Sequence, residues 1–142
     1  MSLRVVFDTS TLVSAALRPD SNPNWALQTA LLSHHVWVSA GTLDELERVL
    51  RREKFDRYMK LESRVEFVER VRRDCVHCLV PSEVFAGARG VCRDANDDQF
   101  LALCVAAHAD ILVSSDNDLL VLHPWRGTPI LTPAQFVHQF RQ

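Results

Sequence analysis

Aspartates stand at three places where apolar segments of this chain begin or end. Asp8 directly follows LRVVF, Asp116 follows ILVSS, and Asp94, Asp97 and Asp98 lie in RDANDDQF, just before the apolar segment FLALCVAAHA. If these carboxylates meet, they need protons or cations, because two charges about 4 Å apart repel by roughly 4 kcal/mol at an effective dielectric near 20. Oxygen ligands suit Mg²⁺ or Mn²⁺, which polarise phosphates and lower the pKa of water. The pattern therefore points to phosphodiester hydrolysis.

The same aspartates could instead cap helices. Asp94 or Asn96 is a good N-cap, and acidic residues in a first turn interact favourably with the helix dipole by about 0.3 to 1 kcal/mol each. Asp116 could likewise cap the segment NDLL. Capping explains Asp8 less well, because this carboxylate ends an apolar strand. Both interpretations stay open on the residues alone.

Strands are predicted to alternate with helices along the chain. The predicted strands are LRVVF (3–7), HVWVSA (35–40), VHCLVP (76–81), DILVSS (110–115) and an edge strand PILT (129–132). Helices are predicted at 11–17, 24–33, 41–53, within 54–73, at 97–108, at 117–122 and from Pro133, with a long loop over 82–96. This order predicts a three-layer α/β/α sandwich with a central, mostly parallel sheet, in a single domain spanning 1–142.

Two of the acids are expected at one edge of that sheet. Parallel strands bind ligands beyond their carboxyl ends, and Asp8 and Asp116 both follow strands. Asp97 and Asp98 open the helix that leads into the strand before Asp116. They could start from the opposite edge or from a loop folded over the same edge, and the sequence leaves this open.

Composition narrows the class of protein. A net charge of -2 gives no overall attraction to nucleic acid or anionic membranes. The first residues lack the features of a signal peptide, and no apolar run approaches the roughly 18 residues that span a bilayer, so we expect a soluble cytoplasmic protein with reduced cysteines. Cys75 and Cys78 have the spacing of a zinc knuckle that Cys92 could extend, but no second Cys or His pair completes it.

The chain resembles the PIN-domain family of metal-dependent nucleases, in the branch of toxins from type II toxin-antitoxin pairs. The resemblance rests on VVFDTSTLVSAAL, VSAGTLDELERVL, CRDANDDQFLALCVAAHADILVSSDNDLL and GTPILTPAQF, in this order over nearly the whole chain. It implies a PIN-like fold and a Mg²⁺- or Mn²⁺-dependent ribonuclease that leaves 5′-phosphate products. It also implies an antitoxin protein as partner and a homodimer.

Four acids carry over from the family's metal site. They are Asp8, Glu45, Asp97 and Asp116, with Asp98 as an additional metal ligand and Asp94 and Asp118 as nearby candidates. The resemblance favours Asp97 over Asp98 as the third acid of the metal site, because this branch usually has Asp at the first position of the pair. It alone selects Glu45 over Asp44 or Glu47.

Three hydroxyls are expected to orient these acids by hydrogen bonds, namely Thr9, Ser10 and Ser114. The family often has Asp-Thr-Asn after the first strand, whereas this chain has Asp8-Thr9-Ser10, so a shorter hydroxyl or water replaces the amide contact. The later Thr-x-Asp of the family is Ser114-Ser115-Asp116 here, which keeps a hydroxyl.

Cations for the RNA backbone are abundant between Arg48 and Arg73. Acids are interleaved with them, so a solvated helix surface is an equally good interpretation for most. The preferred RNA contacts are Arg51, Arg52 and Lys54, which follow Glu45 along the predicted helix, and Arg93 beside the acidic segment.

Two other functions compete with the ribonuclease. A non-catalytic PIN scaffold that binds RNA or protein would not need all four acids. A haloacid-dehalogenase-like phosphatase matches VVFDTST superficially, but that family needs a second Asp where this chain has Ser10.

Overall fold

A computed structural model describes residues 2–141 and is built around a five-stranded parallel sheet. Its strands are β1 (Arg4–Phe7), β2 (His35–Val38), β3 (Val76–His77), β4 (Ile111–Val113) and β5 (Ile130–Leu131). They lie in the order β3-β2-β1-β4-β5, and every neighbouring pair is parallel. Met1 and Gln142, which end the predicted domain, lie outside the described residues.

Eight α-helices surround this sheet within residues 2–141. They are α1 (Thr9–Leu17), α2 (Asn22–Ser33), α3 (Ala40–Leu50), α4 (Leu61–Asp74), α5 (Ser82–Ala88), α6 (Asp98–Ala107), α7 (Asn117–Leu120) and α8 (Pro133–Phe140). Short 3-10 turns occur at Glu53–Phe55 and Ala95–Asp97. Among residues 2–141, none of the helices combines the length and the apolar composition that a membrane-spanning helix needs.

Helices cover both faces of the sheet. Successive residues of a strand point to opposite faces, and on β1 the side chains of Val5 and Phe7 join one buried cluster while Val6 joins the other. The first cluster holds residues of α1, α2, α3, α4 and α8, and the second holds residues of α5, α6 and α7. This arrangement confirms the predicted α/β/α sandwich.

Side-chain caps fix where two helices begin. Ser39 follows β2 and exchanges hydrogen bonds with Thr42, which forms a capping box at the start of α3. Thr132 and Gln135 form the same motif at α8, with Pro133 in its first turn. The strand-to-helix transitions are therefore encoded locally, and α3 starts in a fixed direction from the carboxyl edge of the sheet.

Several predicted boundaries were wrong. Residues 82–96 are not one loop, because α5 forms from Ser82 to Ala88 and packs on α6 with Ala88 buried. The predicted strand 76–81 pairs only at Val76 and His77, since β3 is an edge strand with one neighbour. Residues 54–73 begin with a 3-10 turn and a loop before α4. The helix predicted from Asn24 starts at Asn22, because Ser21 caps it.

Candidate metal centre

The candidate site forms where β1 and β4 meet. β1 pairs with β2 on one side and β4 on the other, so the direction of winding reverses here, and ligands bind α/β sheets beyond the strand ends at such points. Asp8 follows β1 and Ser114 follows β4, and the two strands pair Phe7 with Val113. The backbone N–H of Asp8 also donates to Val113 O at 3.2 Å. Asp8 and Ser114 therefore lie side by side.

α6 brings Asp97 to the same edge. Because α6 ends shortly before β4 begins, it must run antiparallel to the strand, and its first turn lies at the carboxyl edge of the sheet. Asp8, Asp97 and Asp116 accordingly line one cavity. The alternative that the Asp97–Asp98 pair starts from the opposite edge is wrong, since a crossover helix begins at the edge where its preceding strand ends.

That cavity contains most of the predicted acids. It encloses about 400 Å³ and is lined by Asp8, Thr9, Ser10, Val13, Ser14, Glu45, Val49, Arg52, Lys54, Phe55, Asp94, Asn96, Asp97, Phe100 and Asp116. Carboxylates from α3, the loop before α6 and the ends of β1 and β4 thus converge on one concave surface. Two cationic side chains stand among them.

Three carboxylates are especially close. Oxygens of Asp97, Asp116 and Asp118 lie within 4.8 Å of one another. Asp116 caps α7 by accepting from the N–H of Asp118 at 2.9 Å, which places both acids at one helix start. Asp97 Oδ2 is buried and has no hydrogen-bond partner among residues 2–141. An unpartnered buried oxygen in an all-oxygen group fits a hard divalent cation such as Mg²⁺ or Mn²⁺.

Asp8 both caps a helix and faces the cavity. It is 2% exposed, and its Oδ1 accepts from the backbone N–H of Thr11 at 2.9 Å to cap α1. Its Oδ2 accepts from Ser114 Oγ at 2.5 Å and from Ser10 Oγ at 3.3 Å. Burial raises the pKa of Asp8 despite these hydrogen bonds, which lower it. Capping and a role in the site are therefore compatible at this residue.

Ser114 links two acids. Its hydroxyl donates to Asp8 and accepts from the backbone N–H of Asp116 at 3.0 Å, and the residue is fully buried. Thr9 Oγ1 donates to Glu45 Oε2. Ser10 also donates to Asp8. Each of the three predicted hydroxyls, those of Thr9, Ser10 and Ser114, therefore donates a hydrogen bond to one of the acids.

Glu45 is the acid of α3 that turns into the cavity. Its Oε2 accepts from Thr9 and from Gln99 Nε2 at 3.2 Å. Asp44 is exposed, and Glu47 pairs with Arg72 at 3.2 Å. Sequence reasoning missed Gln99, whose only signal is its place directly after the Asp97–Asp98 pair, at the start of an apolar helix.

Asp98 points away from the acidic group. It is 2% exposed, and its two oxygens accept from the backbone N–H groups of Gly90 at 2.7 Å and Cys92 at 2.8 Å. Burial alone would raise its pKa, but the hydrogen bonds from Cys92 and Gly90 outweigh it and the pKa is lowered. The structure does not bring Asp98 into the cavity with Asp97.

Asp94 supplies the predicted cap, but for a different helix. Its side chain accepts from the N–H of Asn96 at 3.0 Å and caps the 3-10 turn Ala95–Asp97. Asp97 is the residue before α6 and makes no side-chain cap. Asp97 is thereby left free to face the other carboxylates.

Asp97 resists ionisation in this setting. Burial, the contact with Asp116 and the negative charges of Asp116, Asp94 and Asp8 raise its pKa from 3.8 to about 8. Near neutral pH, the metal-free group therefore keeps a proton that a bound cation would displace.

The raised pKa predicts pH-dependent stability of the metal-free protein. Because the folded state binds this proton more tightly than the unfolded chain, Asp97 stabilises the fold below pH 3.8 and loses that contribution as the pH rises towards about 8. The free energy of unfolding of the wild type in EDTA should thus fall relative to Asp97→Asn as the pH rises. Chemical denaturation of both proteins at several pH values measures this difference, and parallel pH curves would contradict it.

The predicted RNA-binding cations divide into two pairs. Arg52 and Lys54 line the cavity. Arg51 pairs with Glu47 at 3.8 Å, and exposed Arg93 is not among the residues that line the cavity. Of the four predicted cations, only Arg52 and Lys54 line the cavity that contains the acids.

The cysteines do not form the alternative zinc site. Cys75 packs in the cluster on one face of the sheet and Cys92 in the cluster on the other. Burial raises the pKa of both thiols to about 12. Within residues 2–141, these side chains are core residues.

Sequence comparison identifies the family that has this fold. A PIN domain family model matches residues 4–118, which include Asp8, Glu45, Asp97 and Asp116. The chain therefore belongs to the PIN domain family, and the haloacid-dehalogenase-like alternative is wrong. It is also 23% identical over 151 residues to the uncharacterized protein MJ1680 of Methanocaldococcus jannaschii, covering 100% of this chain and 94% of that relative.

Solved structures share the fold. VapBC2 from Rickettsia felis, bound to a DNA fragment from its promoter, superposes with a TM-score of 0.67 at 13% identity over 92% of this chain and 98% of that one. PAE2754 from Pyrobaculum aerophilum gives 0.64 at 18% identity over 100% of both chains. VapC20 from Mycobacterium tuberculosis, a sarcin-ricin loop cleaving toxin, gives 0.56 at 14% identity over 80% of this chain and 91% of that one.

Proposed function

We propose that this protein is a Mg²⁺- or Mn²⁺-dependent ribonuclease. The observation that carries the proposal is the approach of the Asp97, Asp116 and Asp118 oxygens to within 4.8 Å, beside a cavity that Asp8 and Glu45 also line. Such a group of like charges is unfavourable unless protons or cations compensate it. A site for divalent cations explains why the fold brings these acids together.

Asp8, Glu45, Asp97 and Asp116 would hold the cation, with Asp118 beside them. When bound, a divalent cation offsets negative charge on a phosphate and makes water a better nucleophile. Asp98 is withdrawn from this set, because both of its oxygens accept backbone hydrogen bonds.

Other side chains would prepare these acids and the substrate. Ser114 and Thr9 hold one oxygen each of Asp8 and Glu45, which limits their rotation before a cation arrives. Arg52 and Lys54, at the cavity wall, would bind the phosphate backbone of a nucleic acid. Phosphate contacts of this kind position the nucleic acid without reading its base sequence.

Gln99 is expected to tune the affinity for the cation. Gln99→Met removes the hydrogen bond to Glu45 and should lower cleavage at limiting Mn²⁺ by about tenfold, because partners of ligands orient them. Saturating Mn²⁺ should restore most of the rate. Titration of Mn²⁺ against cleavage measures the shift, and Gln28→Met, at an exposed glutamine of α2, is the matched control. Identical titrations for Gln99→Met and the wild type would exclude this role.

The same proposal extends to a toxin role. VapC20 is a sarcin-ricin loop cleaving toxin, and VapBC2 and FitAcB from Neisseria gonorrhoeae share the fold of this chain. A cognate antitoxin that covers the cavity, and a homodimer, would fit such a role. Growth arrest on expression, relieved by co-expression of the neighbouring reading frame, would support it; normal growth with active enzyme would contradict it.

The test of the function is cleavage of defined RNAs with and without Mn²⁺ or Mg²⁺. We expect metal-dependent products that carry 5′-phosphates, abolished by EDTA and by Asp116→Asn. RNA binding without cleavage under any cation would instead favour the non-catalytic PIN scaffold. Cleavage by Asp116→Asn at the wild-type rate would refute the assigned site.

A further inference from the structure

Arg64, on the first turn of α4, is buried although it contacts none of the acids in the cavity. The residue is 1% exposed, and its side chain is fully buried. A buried guanidinium is costly unless its N–H donors are matched by acceptors. Its partners therefore indicate what the residue holds in place.

These partners are Leu50 at the end of α3 and residues of the segment that joins α3 to α4. Nε donates to Met59 O at 3.0 Å, and Nη1 donates to Arg52 O at 3.1 Å and to Leu50 O. Nη2 binds the carboxylate of Asp56. Four of the five guanidinium donors are thus used on residues 50–59. One side chain ties together both ends and the middle of this segment, which we call the cationic loop.

The cationic loop carries the two cations of the cavity. Arg52, Lys54 and Phe55 line the cavity. The Nζ of Lys54 lies 5.2 Å from the centroid of the Phe55 ring. In the described part of the chain, neither cation forms an ion pair. Exposed loops with few contacts are usually mobile, so these charges need an anchor to face the acids.

We propose that Arg64 is a positioning residue that fixes the cationic loop so that Arg52 and Lys54 meet the phosphate backbone of the substrate. Arg64 binds the backbone carbonyl of Arg52 directly. It restrains Lys54 through its contacts with Arg52 and Asp56, which lie on either side of Lys54 in the sequence. This inference rests on the proposed function, because it assigns the substrate-binding cations of that same site.

Arginine is suited to this role and lysine is not. The planar guanidinium presents donors in a fixed fork, so one side chain can bind three carbonyls and a carboxylate in different directions. A lysine at this position keeps the charge but offers three donors from a single nitrogen. Arg64→Lys should therefore loosen the loop while leaving α4 intact.

RNA affinity and its salt dependence test the proposal. In an Asp116→Asn background, which keeps labelled single-stranded RNA intact, Arg52→Gln/Lys54→Gln should raise Kd about tenfold and reduce the slope of log Kd against log salt by about 1.4. Arg64→Lys should raise Kd about fivefold and shift the slope in the same direction, although no charge is removed. Trypsin should also cut the loop of Arg64→Lys faster.

A combined variant separates positioning from general destabilisation. When Arg52→Gln/Lys54→Gln is already present, Arg64→Lys should change Kd by less than about twofold, because the cations through which it acts are gone. A full further loss of affinity in that background would overturn the proposal. So would an unchanged Kd and salt slope for Arg64→Lys alone.

Two further variants complete the design. Arg70→Lys, at an exposed arginine of the same helix, is the matched control and should leave Kd unchanged. If Arg64→Lys does not fold, Asp56→Asn removes only the ionic partner and should give a smaller loss of the same kind; no change in Kd would count against the role of Arg64. Absence of cleavage by the wild type would defeat the proposed function, whereas these binding results decide the role of Arg64.

Discussion

Replacing Asp97 with asparagine should lower Mn²⁺-dependent RNA cleavage by at least about 10³-fold, the scale expected when a metal's stabilisation of transition-state charge is lost. Asparagine has the same shape but supplies no negative charge to the group formed with Asp116 and Asp118. The fold should remain intact, because Asp97 caps no helix with its side chain and its Oδ2 has no hydrogen-bond partner among the described residues. Single-turnover cleavage rates at saturating Mn²⁺ measure the effect.

Stability provides an independent measurement on the same variant. Burial first, and then the contact with Asp116 and the negative charges of the neighbouring carboxylates, raise the pKa of Asp97 to about 8, so the charged form of this residue is unfavourable in the metal-free fold. Asp97→Asn should therefore melt at a higher temperature than the wild type in EDTA, and should gain less when Mn²⁺ is added. Asp44→Asn, which neutralises an exposed acid of α3, controls for net charge. Wild-type cleavage by Asp97→Asn, or an equal gain of stability from Mn²⁺, would contradict the assignment of Asp97.

The carboxyl edge of the sheet was predictable from the sequence. Asp8 and the strand before Asp116 are marked by short apolar segments, and such segments end at a common edge of any parallel sheet. The family resemblance then supplied Glu45 and Asp97. The sequence alone could not separate Glu45 from Asp44 and Glu47, because that choice depends on Thr9 and Gln99, which approach α3 only in the folded chain.

Tertiary contacts also explain the element that was missed. Residues 82–88 contain Gly87 and precede a loop that contains Gly90, so local propensity favoured an irregular segment. In the fold, α5 buries Ala88 against α6, and this packing outweighs the weak local preference. The burial of Arg64 could not be predicted from the sequence, because the segment from Arg48 to Arg73 contains many arginines and most of them are exposed in the fold.

Asp98→Asn should lower the stability of the protein and largely preserve its cleavage activity, whereas Asp97→Asn should abolish cleavage and preserve the fold. The amide can accept only one of the two hydrogen bonds from Gly90 and Cys92 and turns a donor towards the other N–H. The free energy of unfolding should fall by about 2–3 kcal/mol, since a buried charge-assisted pair is broken. Chemical denaturation at neutral pH measures the loss, and cleavage by the folded protein should stay within severalfold of the wild type.

The pH dependence of that loss identifies its cause. Because the hydrogen bonds hold the pKa of Asp98 below its ordinary value of 3.8, its stabilising contribution is present above that pH and disappears as the pH falls through the folded-state pKa. The difference in stability between the wild type and Asp98→Asn should therefore narrow in acid, whereas any difference due to packing would persist. If Asp98→Asn were as stable as the wild type but inactive, Asp98 rather than Asp97 would be the metal ligand. The two adjacent aspartates thus have different roles because their side chains face different groups. Asp97 faces the other carboxylates, and Asp98 faces the backbone of the loop that precedes it.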